Sequence, residues 1–213
     1  MLSWTEYLKI FIALLAIVNP IGSVPLFLSL TENQAQEERY RTATIAAVTT
    51  AAVLAGACLF GDAILRLFGV GIDSFRVGGG ILLLLMAISM FHAEQSRSRQ
   101  TPEEAVEAEE RTAVAVVPLA IPLLSGPGAI STMIIYTTQG KGPAHIAILV
   151  GGSVLVGAIV WVSLRLAIPI GRFLGRTGIN IATRLMSLLL AAIAVEFIAG
   201  GIGGLFPGLL PPR

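Results

Sequence analysis

LAIVNPIGSVPLFLSLT, residues Leu15 to Thr31, is an uncharged run that carries two prolines and a glycine in the middle of an apolar stretch. Its reading decides the fold, because the same kind of interruption returns in IPLLSGPGAISTMIIYT, residues Ile121 to Thr137. Laid side by side without gaps, the two segments align Asn19 with Ser125, Gly22 with Gly128 and Thr31 with Thr137. Pro inside a helix removes a hydrogen bond and collides with the preceding turn, while Gly opens backbone conformations closed to other residues. Asn19, Pro20, Gly22 and Pro25 in the first segment, and Pro118, Pro122, Gly126, Pro127 and Gly128 around the second, therefore predict helices that are interrupted, not gently kinked.

Outward from these segments the chain is that of a membrane protein. Of its 213 residues 55% are hydrophobic and 13% charged, about half the charged share of a soluble domain, roughly 25%. Ile10 to Thr31, Thr42 to Phe60, Thr112 to Gly140 and Ile146 to Leu164 contain no Asp, Glu, Lys or Arg, and a helical span needs about 20 such residues. Six helices are predicted, near Tyr7–Leu30, Tyr40–Phe60, Ser74–Phe91, Ala113–Thr137, Ala144–Leu166 and Ala182–Phe206. The first run is too long for the apolar part of a cleaved signal peptide and is read as a retained helix. A net charge of +1 without a basic stripe gives no reason to expect nucleic acid as a partner. Cys58 is the single cysteine, which excludes an internal disulfide and suggests a small packing residue.

The aligned breaks suggest an internal repeat. Arg76 and Arg184 open the third and sixth predicted spans at nearly the same offset, each followed by a Leu-rich stretch. Three spans per unit force the second unit to enter the membrane from the opposite side, the inverted-repeat design of secondary transporters. The expected fold is thus a single all-α membrane domain, 1–213, with helices one and four broken near mid-membrane. It divides into a first three-helix repeat, 1–92, a polar cytoplasmic connection, 93–111, and a second three-helix repeat, 112–213. Within that connection Thr101 to Glu104 resembles a capped helix start.

Six spans place Lys9, Arg66, Arg76, Lys141 and Arg213 on one side, and Arg39, Arg41, Arg97, Arg99, Arg111, Arg165, Arg172, Arg176 and Arg184 on the other. The excess of basic residues makes the second side cytoplasmic and both termini periplasmic.

An unwound turn in hydrocarbon must be buried in protein or face a watery cavity. Amides freed at a half-helix start suit a carboxylate, and freed carbonyls suit an ammonium group. Asn19, Pro20, Gly22 and Ser23 with Ser125, Gly126, Gly128, Ser131 and Thr132 form the expected substrate site. It is lined by small and neutral polar residues, and so points to a small zwitterion. Glu196, the one acid well inside a predicted span, is the candidate for ion coupling. Arg76 and Arg184 are read as clasps at span ends. Asp62 and Asp73 are read as solvated loop residues, and His92 and His145 as interfacial residues without metal-ligand spacing. The alanines at 43, 47, 51 and 55 form a stripe suited to close helix packing.

VNPIGSVPLFLSLT at Val18 to Thr31 and PLAIPLLSGPGAISTMI at Pro118 to Ile134 together resemble the paired signature of the MarC family of bacterial inner-membrane proteins. Arg76 to Leu85 (RVGGGILLLL) and Arg184 to Val195 (RLMSLLLAAIAV) also resemble that family's third and sixth spans, so the likeness covers nearly the whole chain. The family is similar to small neutral amino-acid transporters and is grouped with exporters of the LysE type. The resemblance implies transport of glycine-, alanine- or serine-like substrates across the inner membrane, coupled to protons or sodium, with no bound cofactor or metal. Export of other small metabolites or drugs is the alternative within transport. A membrane enzyme would need a nucleophile with a base, or paired acids, at one depth. No such set stands out, and no catalytic residue is assigned. A non-transporting subunit would need more surface outside the bilayer than these short loops offer. The expected partners are a small zwitterionic substrate and membrane lipid, and the sequence leaves room for a homo-oligomer.

Overall fold

The computed structural model describes residues 2–92 and 124–207. The expected polar connection at 93–111, the capping pattern at Thr101 to Glu104, and Pro118 and Pro122 lie outside the described residues. The described residues form helices and turns with no strand: α1 Trp4–Val18, α2 Val24–Leu30, α3 Gln36–Leu67, α4 Ile72–Phe91, α5 Pro127–Gln139, α6 Pro143–Arg165 and α7 Ala167–Leu205.

Local chemistry sets the helix ends. A reciprocal capping box opens α1: Glu6 N–H donates to Ser3 Oγ at 3.3 Å, and Ser3 N–H donates to Glu6 Oε2 at 2.6 Å. The helix closes where Asn19 turns to φ 45°, ψ 64° and donates its N–H to Leu15 O at 2.9 Å. This is a left-handed cap of the kind Asn tolerates, and the Pro20 that follows cannot continue the helix. Proline occupies the first position of both α5 (Pro127) and α6 (Pro143), where its missing N–H costs nothing.

Helix α4 lies along α7 and α3 along α6, the two most extensive pairings. Both depend on close backbone approach. A Cβ at Gly80 of α4 would sit 2.8 Å from the Ala194 carbonyl of α7, and one at Gly157 of α6 would sit 2.7 Å from Ala51 Cβ of α3. The alanine stripe therefore does pack a neighbouring helix, with Gly157 seated against Ala47 and Ala51. Cys58 is buried in the core, as a packing residue should be.

Among the described residues four helices are long and apolar enough to cross a membrane: Gln36–Leu67, Ile72–Phe91, Pro143–Arg165 and Thr177–Leu205. Large apolar side chains face outward along them, Phe60, Leu85, Leu155 and Leu188 among them. A water-soluble surface would not carry so continuous an apolar coat. The chain is an all-helical, multi-pass membrane protein.

Three expectations change. The last apolar span is Thr177–Leu205, and α7 also takes in a short helix ahead of it that begins at Ala167 and is set off at Gly175, whose φ of 59° and ψ of −179° lie outside the helical region. Asp62 is within α3 and pairs with Arg66 at 2.9 Å, one turn away. Asp73 is in the first turn of α4, packed against Gly204 of α7 and 3.6 Å from Arg76. Neither is a loop residue, because both helices run on into what the hydropathy pattern reads as a connection.

The pairings sort residues to two ends of the bundle. Tyr7, Arg76, Gln139, His145 and Gly204 gather at the end where α1 and α4 begin and α5 and α7 finish. At the other end Arg184 lies over the Phe91 ring, 5.9 Å from its centroid.

Candidate functional site

The first interruption spans Asn19 to Ser23 between α1 and α2. Asn19 Oδ1 accepts from Gly22 N–H at 3.2 Å, and Ser23 Oγ donates to Pro20 O at 2.7 Å, so side chains take over hydrogen bonding that the helix gives up. A Cβ at Gly22 would land on the Asn19 amide, which makes glycine a steric requirement of this turn. Ser23 is buried and Asn19 half-buried.

At the second expected interruption the described residues show the start of α5. Gly126 is extended at φ −65°, ψ 177°, and the helix begins at Pro127. Ser125, Gly128, Ser131 and Thr132 are buried. Ser131 packs on Gly79 of α4 and donates its hydroxyl to Pro127 O, while Gly128 sits against Leu83. Thr132 differs from its neighbours. It is fully buried, and its Oγ1 has no hydrogen-bond partner among the described residues, a condition shared only by Arg39 Nε and Thr183 Oγ1. Buried orphan hydroxyls are rare because each forfeits its solvation.

The two interruptions lie at similar depth. Tyr7 Oη is 2.9 Å from Nδ1 of His145, and Tyr136 O is 3.1 Å from its Nε2, which places Tyr7 of α1 level with Tyr136 of α5. From that level Asn19 is about 18 Å along α1 and Gly126 about 15 Å along α5, at 1.5 Å per residue. The helices are antiparallel, so the carbonyl end of α1 and the amide end of α5 come to the same layer.

Glu196 is not sealed in the bundle. It is exposed on a cavity of about 280 Å³ whose polar wall is Glu6 and Lys9 of α1, Arg76 of α4, Tyr136 and Gln139 of α5, and Glu196 itself, over a floor of Ile10 and Phe197. Glu6 lies ahead of the apolar run, and its carboxyl is held below the usual carboxylate range by the Ser3 amide and hydroxyl. Tyr136 lies one turn from Thr132 on the same face of α5, so that face leads from the cavity towards the break. No group of three His, Cys, Asp or Glu residues suited to a metal occurs among the described residues.

Residues 4–206 match the MarC family, whose members are described as integral membrane proteins. The chain belongs to the MarC family. It is 42% identical over 204 residues to UPF0056 membrane protein YhcE of Escherichia coli (strain K12), covering 96% of this chain and 95% of that protein. It is 37% identical to UPF0056 membrane protein YvbG of Bacillus subtilis (strain 168), covering 94% and 95%. A UPF0056 membrane protein of the archaeon Pyrococcus abyssi is 39% identical, covering 92% and 94%. No solved structure matches.

In this MarC family chain the motif residues at 18–31 and 124–134 are the interruptions themselves. Sequence reasoning missed His145, which is fully buried between Tyr7 and the Tyr136 carbonyl and is not interfacial. Its Nε2–H donates to the carbonyl, which can only accept, leaving Nδ1 to meet the Tyr7 hydroxyl. The only sequence signal was a histidine at the head of an apolar run, and that does not reveal a partner 138 positions away.

Proposed function

We propose that the protein is a secondary transporter of small neutral amino acids, glycine, alanine and serine among them, driven by a proton or sodium gradient. What supports this reading is that helix rise counted from the Tyr7–His145–Tyr136 contact puts the carbonyl end of α1 and the amide end of α5 at similar depth, with opposite polarity. The last carbonyls of α1 offer partial negative charge, and the first turn of α5 offers partial positive charge. The buried Thr132 hydroxyl beside them has a hydrogen bond to give or accept. A ligand carrying an ammonium and a carboxylate is complementary to both.

Inverted three-helix repeats belong to the same reading. They are supported by Arg76 and Arg184, equivalent in the sequence repeat, which stand at opposite ends of the bundle. The reading places the chain in a bacterial inner membrane with both termini periplasmic. Glu196 is the carboxylate that would meet the coupling cation, and its opening on a cavity supports access from water.

Counterflow in proteoliposomes tests the proposal. Labelled alanine should enter faster when unlabelled alanine is trapped inside, an acceleration that belongs to a carrier and not to a channel. Absence of exchange with glycine, alanine and serine alike would overturn it.

A further inference from the structure

The cavity that holds Glu196 is separate from the two interruptions, about ten residues of helix away along both α1 and α5. We propose that it is a second binding site, a mouth in which a small zwitterion is held with its ammonium on Glu196 and its carboxylate on Lys9 and Arg76 before it reaches the breaks. The inference rests on the transport reading for the purpose of the site, but not for its chemistry.

The wall carries two carboxylates and two cations from three helices. It therefore has no net charge with which to select an anion or a cation alone. Some of these charges are already engaged. Glu6 is bonded to Ser3 N and Ser3 Oγ at 2.6 and 2.8 Å, and Arg76 reaches Asp73 at 3.6 Å. Glu196 and Lys9 have neither a hydrogen bond nor an ion pair among the described residues, and they face the cavity from α7 and α1. A carboxylate and an ammonium from different helices, on one cavity with a phenol (Tyr136) and an amide (Gln139), are complementary to a dipolar ligand.

Size points the same way. A volume of about 280 Å³ falls just under the range of pockets that take drug-sized ligands, roughly 300–1,000 Å³. Beyond the cavity α1 from Ile10 to Val18 and α5 from Pro127 to Gln139 contain no charged residue. A zwitterion leaving the mouth next meets opposite charge at the helix ends of the interruptions. The charges of the mouth are open to water, so each contact is weak, which suits a site that must release its ligand inward.

A cysteine reporter tests the site. A Cβ at Gly200, on the cavity wall, would meet no atom within 4 Å. Gly200→Cys in a Cys58→Ala background therefore places a single thiol in the mouth. Its labelling by a neutral water-soluble maleimide is followed in nanodiscs with alanine as the probe. Alanine at about ten times its Kd should slow labelling about tenfold, as mass action requires when only the empty site reacts. Propionate and ethylammonium, with one charge each, should protect less at equal concentration. Glu196→Gln and Lys9→Gln should each remove most of the protection. Lys9 is exposed on α1, so its variant is a safe second to Arg76→Gln, which also breaks the pair with Asp73. No protection by alanine, or equal protection in the Glu196 and Lys9 variants, overturns the mouth site. Adding Thr132→Val separates the two sites. An unchanged alanine dependence of protection shows an independent mouth, whereas a shift to roughly two- to tenfold higher alanine is transmitted from the breaks, so the mouth falls and the transport reading stands. Protection in a protein that shows no counterflow keeps the mouth and removes the transport reading.

Discussion

Thr132→Val should stabilise the protein while weakening its grip on ligand. The substitution keeps the β-branched shape and deletes only the hydroxyl, which is fully buried and has no partner among the described residues. An unsatisfied buried polar group costs about 1–3 kcal/mol, and for a chain of this size each kcal/mol moves Tm by about 2–4 °C. A rise of several degrees in ligand-free thermal unfolding is therefore expected. If the hydroxyl serves the ligand, one neutral hydrogen bond of about 0.5–1.5 kcal/mol is lost, a weakening of alanine binding of roughly two- to tenfold. Thr50→Val is the control. That residue is equally buried, but its Oγ1 donates to Ala46 O at 2.8 Å, so no stabilisation should follow. Paired thermal unfolding and alanine binding by titration calorimetry would check both halves. A fall in Tm for Thr132→Val would show that the hydroxyl has a partner and refute the argument at its root. A rise with unchanged affinity would remove Thr132 from the ligand site.

The remaining expectations concern the caps and the buried histidine. Asn19→Gly should keep the left-handed turn and lose only the bond to Gly22, whereas Asn19→Ala must also strain φ 45°, so Ala should lower Tm more, by about 1 kcal/mol in stability. Similar losses for the two variants would show that the conformation at Asn19 is not what closes α1. Tyr7→Phe should cost about 1 kcal/mol, and His145→Phe, which also leaves the Tyr136 carbonyl unpaired, more; a double-mutant cycle that shows no coupling would dismiss their hydrogen bond. The depressed Glu6 carboxyl predicts a pH effect on the first turn of α1. The bond to Ser3 contributes fully above the ordinary value of 4.5 and is lost as pH falls through the lower folded value. Protection of the Glu6 and Tyr7 amides, taken relative to the intrinsic exchange rate at each pH, should fall on acidification, and Glu6→Gln should flatten that dependence.

Much of the fold was legible because its signals are local. An Asn before Pro20, and Pro127 after Gly126, stop and start a helix through their own backbone geometry, so α1 ends and α5 begins where the sequence puts them. The alanines of α3 announced close packing because small residues are what allow it. Helix ends were less legible. Residues ahead of the last span carry Arg172 and Arg176 and read as a loop by hydropathy, yet they are helical on either side of Gly175, because arginine is a good helix former.

Membrane character, the all-helical class, the end of α1 and the start of α5 were thus determined by the sequence alone, since composition and Pro/Gly chemistry act without reference to the rest of the chain. What surrounds Glu196 and His145 was decided only by tertiary structure. Glu196 reads in sequence as an isolated buried acid and is in fact one wall of an open cavity shared with Lys9, Arg76 and Tyr136, residues brought together from four helices. His145 reads as peripheral and is wholly enclosed. Thr132 looks like any helix threonine until its surroundings show that nothing among the described residues answers its hydroxyl. Exposure and partnership are properties of how helices far apart in sequence pack against one another, and no periodicity within a single helix encodes them.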